Sequence, residues 1–168
     1  MDFEKVINER FSTRSFKSDV VSDELITKIL EAGRIAPTAK NKQPQKIYVV
    51  KSSDGLNKID QVSPCRYNAP VVLLICSDKS IAWRSGDYST YEMDATIVAT
   101  HMILEATNIG LNSVWVEMFD KKKTKELFNL EENVEPICLI PIGYKEDGVV
   151  PSPMHSSKKS LEEMVINY

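Results

Sequence analysis

Apolar positions along the chain change period several times, and each change marks an element. Phe3, Val6 and Ile7 recur at helical spacing and predict a short amphipathic helix ending near Arg10. Ser22 suits the cap of a second helix: Asp23 and Glu24 fall in its first turn, and Leu25, Ile26, Ile29 and Leu30 make its buried stripe. Pro37 obliges that helix to stop, so the polar stretch from Thr38 to Gln45 reads as a loop. Two runs rich in β-branched residues, Ile47–Val50 and Val71–Cys76, have the length and composition of buried strands. Further strands are predicted over Val114–Val116 and Ile137–Ile142, with helices between, which makes the class mixed α and β.

The longest helical candidate runs from Asp87 to Ile109 and is halted by Gly110. From Ala95 to Leu104 its only ionisable residue is His101, so this part is apolar nearly all round, as an enclosed helix should be. It is too short to cross a membrane. A small domain struggles to cover such a helix on every side, so a subunit interface is expected along it, with His101 a satisfied core or interface histidine. Asp120 can cap a further helix whose first turn carries Lys121, Lys122 and Lys123, and these read as a solvated face. Ser160-Leu161-Glu162-Glu163 has the pattern of a capping box and predicts a last short helix.

Composition narrows the function classes. A chain of 168 residues is expected to form one domain, 1–168, with a real core. The net charge of -3 and pI near 5.5 give no basic face for nucleic acid. Met1 is followed by Asp2 and Glu4 instead of a basic and then apolar leader, which predicts a cytoplasmic protein. Three cysteines without a C-x-x-C spacing indicate neither a disulfide framework nor a zinc site. His101 and His155 lie far apart, with no acidic partner at metal spacing, so no metal is expected.

Two short segments carry the candidate chemistry. Arg10, Ser12 and Arg14 read locally either as a solvated helix end or as a phosphate site, because a guanidinium fork can give two parallel hydrogen bonds to phosphate oxygens. The run from Ala36 to Pro44, containing Asn41-Lys42-Gln43-Pro44, reads locally as an ordinary turn. No G-x-G-x-x-G or P-loop occurs, which leaves no Rossmann pocket for a dinucleotide.

Together and in this order the segments resemble the FMN-dependent nitroreductase family. The matches are Arg10-Phe11-Ser12-Thr13-Arg14-Ser15-Phe16, the Ala36–Pro44 run, Ile109-Gly110-Leu111-Asn112-Ser113-Val114-Trp115-Val116-Glu117, Leu139-Ile140-Pro141-Ile142-Gly143-Tyr144 and Lys158-Lys159-Ser160-Leu161-Glu162-Glu163. The resemblance implies an α+β fold: a central mixed β-sheet flanked by helices, with a long central helix at a homodimer interface. It implies FMN as cofactor, reduced by NADH or NADPH that stacks on it transiently. Arg10 and Ser12 would hold the phosphate, with Lys158 closing from the C-terminal side. Arg14 would place a cation near N1 and O2 of the ring, where reduction leaves negative charge, with Arg66 the next candidate for that role. Pro37, Thr38, Ala39, Asn41 and Gln43 would reach the flavin of the partner subunit, and the backbone of Glu117 and Met118 would approach N5 and O4. No side-chain nucleophile or general base is implied.

The implied activity is two-electron transfer to nitroaromatic, quinone or similar acceptors in a ping-pong cycle. Two alternatives stay open: a protein that holds flavin or senses redox state without turnover, and a specialised reductase of the same fold. Departures from the family pattern fall beside the ring. Thr38 stands where serine is common, Gln45 where tryptophan follows Gln-Pro, and Met118 where glycine is common.

Overall fold

The computed structural model describes residues 2–168. In chain order the elements are α1 (Phe3–Glu9), α2 (Asp23–Arg34), β1 (Gln45–Val50), α3 (Ser53–Val62), β2 (Val71–Asp78), β3 (Arg84–Ser85), β4 (Tyr88–Ser89), α4 (Tyr91–Asn108), β5 (Asn112–Ser113), α5 (Lys121–Leu127), β6 (Val134–Gly143) and α6 (Leu161–Met164). Four strands form one sheet in the order β1-β2-β6-β5, with every neighbouring pair antiparallel. A parallel bridge from Ser12 to Ser113 brings the segment after α1 alongside β5; the ladders of the sheet itself are antiparallel where a mixed sheet was expected, while the α+β class stands.

Both faces of the sheet are buried, which is why β2 and β6 read as continuous apolar runs. Leu73, Ile75, Ile140 and Ile142 face one cluster with α2 and α4, while Val72, Leu74, Cys76 and Leu139 face a second with Ile59 of α3. The alternation slips once, between Ile75 and Cys76, where a bulge in β6 puts Ile137 and Cys138 in the same cluster.

Three differences from the sequence pattern have physical causes. The long helix begins at Tyr91 and not at Asp87, because Gly86, at φ 59°, lets Arg84–Ser89 fold back as a tight hairpin. The strand expected at Val114–Val116 forms its ladder earlier, at Asn112–Ser113, and continues only as a Val116–Leu139 bridge. Pro141 sits between these pairings and has no N–H to donate, so Val114 gains a single bond, to the Pro141 carbonyl at 3.3 Å. Helix α3, for which no element was expected, is capped by Ser52, whose hydroxyl accepts from Gly55 N at 3.1 Å.

The predicted caps are present. Ser22 accepts from Leu25 N, Asp120 from Lys123 N, and Ser160 and Glu163 make the reciprocal bonds of a capping box. Helix α4 buries Ala95, Val98, Ala99, Met102, Ile103 and Ala106, yet its opposite face is left uncovered, with Met93, Thr96 and Thr100 exposed and Ile97, His101 and Leu104 half-buried. His101 Nδ1 lies 2.9 Å from the Ile97 carbonyl oxygen, the satisfied state expected of it. Lys121 and Lys122 are solvated. No helix among the described residues is long and apolar enough to cross a membrane.

Candidate functional site

The Ser12–Ser113 bridge decides the first half of the site. Thr13 N donates to the Ser113 carbonyl at 3.0 Å, which fixes the Arg10–Arg14 segment beside β5 and the chain that follows it. Arg10 thereby lines a cavity of about 230 Å³ with Thr100, Leu104, Ser113, Val114 and Trp115. Its guanidinium is half-buried and meets no carboxylate among the described residues, and the Ser12 hydroxyl likewise has no protein partner there. Behind them the buried hydroxyls of Thr13 and Ser113 have no hydrogen-bond partner. A half-buried cation and several uncommitted hydroxyls make a poor protein interior and a good anion site.

The C-terminal segment returns to the same place. His155 meets Phe11 edge-on, with ring centroids 6.5 Å apart, and Lys158 follows three positions later with its ammonium exposed and unpaired among the described residues.

Arg14 projects from the same segment and is exposed. It acts on Tyr67, whose hydroxyl is raised above its ordinary range chiefly by its hydrogen bond to Cys65 and by burial, with Arg14 pulling the other way. Tyr67 is itself held at φ 55° and its carbonyl accepts from Phe16 N, so the Arg14 environment is built by the 65–68 turn. Arg66 does not share it. Its guanidinium is bidentate to Asp60, at 2.7 Å through both Nε and Nη2, and Nη1 donates to the Ala69 carbonyl; a cation so committed is a poor stand-in for Arg14.

Glu117 and Met118 follow Val116 at the end of the β5 extension, both exposed. Trp115 Nε1 donates to Glu117 Oε1 at 2.9 Å and holds the carboxylate aside, while Ser63 Oγ donates to the Met118 carbonyl at 2.7 Å. With the carbonyl tied inward, the Glu117 and Met118 N–H groups stay without a protein acceptor among the described residues. Exposed backbone donors without an acceptor suit the polar edge of a heterocycle.

The second half lies elsewhere. Thr38, Ala39, Asn41 and Gln43 form a compact loop in which Lys40, Asn41 and Gln43 are all left-handed, at φ 49°, 53° and 49°. Gln43 N donates to Thr38 Oγ1 at 3.0 Å and Asn41 N to the Thr38 carbonyl at 2.9 Å, so the threonine hydroxyl braces the turn. Pro37 and Gln43 are exposed. This loop sits at the N-terminal end of α4, where Ala39 N donates to Asp94 Oδ1, and no hydrogen bond or ion pair joins it to the Arg10 group among the described residues. Asp94, Tyr67 and Cys65 were not read as site residues in the sequence, and Ser113 only as part of a motif; Asp94 shares the first turn of α4 with Glu92 and nothing local set it apart.

An α+β fold with a central sheet, an unpaired half-buried cation beside β5 and unused amides at the end of its extension is an arrangement open to a phosphate-bearing heterocycle. Comparison with known proteins agrees. The model of the Nitroreductase family matches residues 7–66 and 63–144, and the chain belongs to that family. A protein of Methanothermobacter thermautotrophicus, provisionally named an NADH dehydrogenase/NAD(P)H nitroreductase, is 32% identical over 151 residues, 86% of this chain and 78% of that protein. The crystal structure of a nitroreductase family protein from Clostridium difficile 630 superposes with a TM-score of 0.91 at 36% identity, covering 99% of this chain and 98% of the other. A third structure, from Exiguobacterium sibiricum and solved in complex with FMN, shares the fold at a TM-score of 0.86 and 19% identity, covering 100% and 98%.

Proposed function

We propose that this protein is an FMN-dependent oxidoreductase that takes two electrons from NADH or NADPH and passes them to a nitroaromatic, quinone or similar electrophilic acceptor. The observation that carries the reading is the Arg10 cavity, lined by a half-buried guanidinium without a counter-ion among the described residues and by Ser113, whose buried hydroxyl has no partner there. Bound FMN would supply the two-electron chemistry. The chain's own work is then positional. Arg10, Ser12 and Lys158 hold the phosphate, Arg14 sets a cation at the ring edge, and the Glu117 and Met118 amides donate to the edge that carries N5 and O4. Backbone donors need little rearrangement between oxidation states, which suits a site that alternates between a reductant and an acceptor.

The site is completed by a second copy. Pro37, Thr38, Ala39, Asn41 and Gln43 contact the flavin held mainly by the partner, and the uncovered face of α4 forms the interface. Support comes from Met93, Leu161, Met164 and Ile166, large apolar side chains exposed in one chain. Sedimentation at micromolar concentration should give a dimer, and a flavin-loaded monomer would contradict the shared site.

The activity is tested by anaerobic titration of the FMN-loaded protein with NADH and with NADPH, following loss of the oxidised flavin absorbance, and then by adding an acceptor panel. Reduction followed by stoichiometric reoxidation is expected. A flavin that stays oxidised under both coenzymes would favour a flavin-holding or sensing protein instead.

A further inference from the structure

The carboxylate of Asp94 is buried, with the residue 2% exposed, and no lysine, arginine or histidine pairs with it among the described residues. Burying an unpaired carboxylate is costly unless hydrogen bonds take up its charge, so its partners say what it is for. Oδ1 accepts from Ala39 N at 2.8 Å and Oδ2 from the Thr90 hydroxyl at 2.8 Å. Thr90 is itself fixed, its N–H donating to the Trp83 carbonyl at 3.1 Å, and the Trp83 ring has the Lys40 ammonium 5.9 Å above its centroid. The first turn of α4, the chain before it and the 38–43 loop therefore meet at one side chain.

That loop needs an external tie. Its three left-handed residues, none of them glycine, are conformations that local sterics disfavour. Its internal bonds run among Thr38, Ala39, Asn41, Lys42 and Gln43 and fix its shape but not its place. The Asp94–Ala39 bond is the hydrogen bond that ties it to α4, beside the Lys40 contact with the Trp83 ring and the Asp78 N bond to the Pro44 carbonyl at its end.

We propose that Asp94 is a positioning residue for cofactor binding: it anchors the Ala39 amide and so holds the 38–43 loop where it meets the flavin of the partner subunit. The inference rests on the FMN reading above. It assigns to Asp94 an acceptor's geometry, not a charge, and that distinction is testable. Asp94→Asn keeps an oxygen for Ala39 N and turns its amide nitrogen to donate to the Thr90 hydroxyl, which can then donate to the Trp83 carbonyl, whereas Asp94→Ala leaves the amide loose. Ala39→Pro severs the tie from the loop's side, removing the donor and setting the ring Cδ against the carboxylate. Thr38 before it is extended, at φ -131° and ψ 157°, as a residue preceding proline should be, and position 39 opens a short 3-10 turn.

The experiment measures FMN affinity and dissociation rate for the parent and four variants, Asp94→Ala, Asp94→Asn, Ala39→Pro and Arg10→Ala, by flavin fluorescence, together with the visible circular dichroism of bound FMN and each variant's thermal midpoint. Asp94→Ala and Ala39→Pro should each lose affinity about tenfold, the upper end of the scale for one lost ordinary hydrogen bond. Their bound FMN should show an altered visible dichroism, and Asp94→Asn should stay within about threefold of the parent on the same scale. Unchanged affinity and dichroism in Asp94→Ala, while Arg10→Ala loses FMN, would overturn the positioning role and leave the cofactor site intact. Asp94→Asn as weak as Asp94→Ala would also overturn it, since charge would then be what counts. If Asp94→Ala fails to fold, Ala39→Pro decides by the same two readouts. A parent protein that takes up no FMN would overturn the cofactor reading itself.

Discussion

Replacing Arg10 with alanine separates the phosphate assignment from every other role the residue could have. The guanidinium lines its cavity half-buried and without a carboxylate partner among the described residues, so its removal breaks no ion pair in the free protein. Unfolding stability of the flavin-free protein should accordingly move by no more than about 0.5 kcal/mol, the range for a side chain without a structural job. Binding is different. A guanidinium bonded to a phosphate contributes about 1.5–3 kcal/mol, which corresponds to a loss of FMN affinity of about ten- to 150-fold. The informative assay titrates flavin-free protein with FMN and, in parallel, with riboflavin, which has the same ring and no phosphate. The whole loss should appear with FMN and none with riboflavin. The parent's FMN affinity should also fall as salt rises, and only modestly, because a half-buried pair is screened only in part. Equal losses for the two flavins would put Arg10 at the ring or in the scaffold, and no loss for either would remove it from the site.

Arg14→Ala should lower the two-electron midpoint potential of the bound flavin by about 20–40 mV, equivalent to about 1–2 kcal/mol, and cost less FMN affinity than Arg10→Ala; potentiometry showing no shift, with binding lost instead, would move Arg14 into the phosphate cluster. Gly143→Ala should destabilise the fold by about 1–3 kcal/mol through overpacking, because a Cβ there would lie 2.9 Å from Cδ of the Pro70 ring and 3.3 Å from Phe16 Cδ1; an unmoved denaturant midpoint would refute this. Asp78 is held below the usual carboxylate range, first by the Ser80 hydroxyl and then, against burial, by Asn133. Its contribution to stability is therefore complete above the ordinary carboxylate range and is lost as pH falls through its depressed value, so Asp78→Asn should flatten the acid limb of the stability–pH curve below about pH 4; parallel curves for the two proteins would count against it.

What the sequence revealed and what it hid divide along the range of the interactions concerned. Caps are local, so Ser22, Asp120 and Ser160 could be read from a few neighbours and are found bonded as expected. Strands β2 and β6 were legible because burial on both faces leaves no polar position in their centres. The hairpin at Arg84–Ser89 was not, because two-residue strands carry no period and only Gly86 marks the turn. Strand β5 was displaced by the missing N–H of a proline some twenty-seven positions further on, a long-range effect that local pattern does not register. The same holds for the site. Arg10, Ser12 and Arg14 announce themselves as a motif, whereas Asp94 and Tyr67 join the site environment only through the fold.

Helix α4 explains why two separated halves can belong to one site. Ala39 is tied to its residue Asp94, while the Arg10 cavity opens against Thr100 and Leu104, six and ten positions along the same helix. At the α-helical rise that is an axial separation of about 9–15 Å. Within one chain the loop and the phosphate cluster thus stay apart. A two-fold axis through the middle of this stretch, near Ala99, would set two such helices antiparallel and bring the Asp94 end of one beside the Leu104 end of the other. Each loop would then face the partner's Arg10, and the half-buried Ile97, His101 and Leu104 between them would be covered by their own counterparts. The same operation would cover a long apolar helix left open on one face and set a partner before a braced, left-handed loop whose Pro37 and Gln43 are exposed.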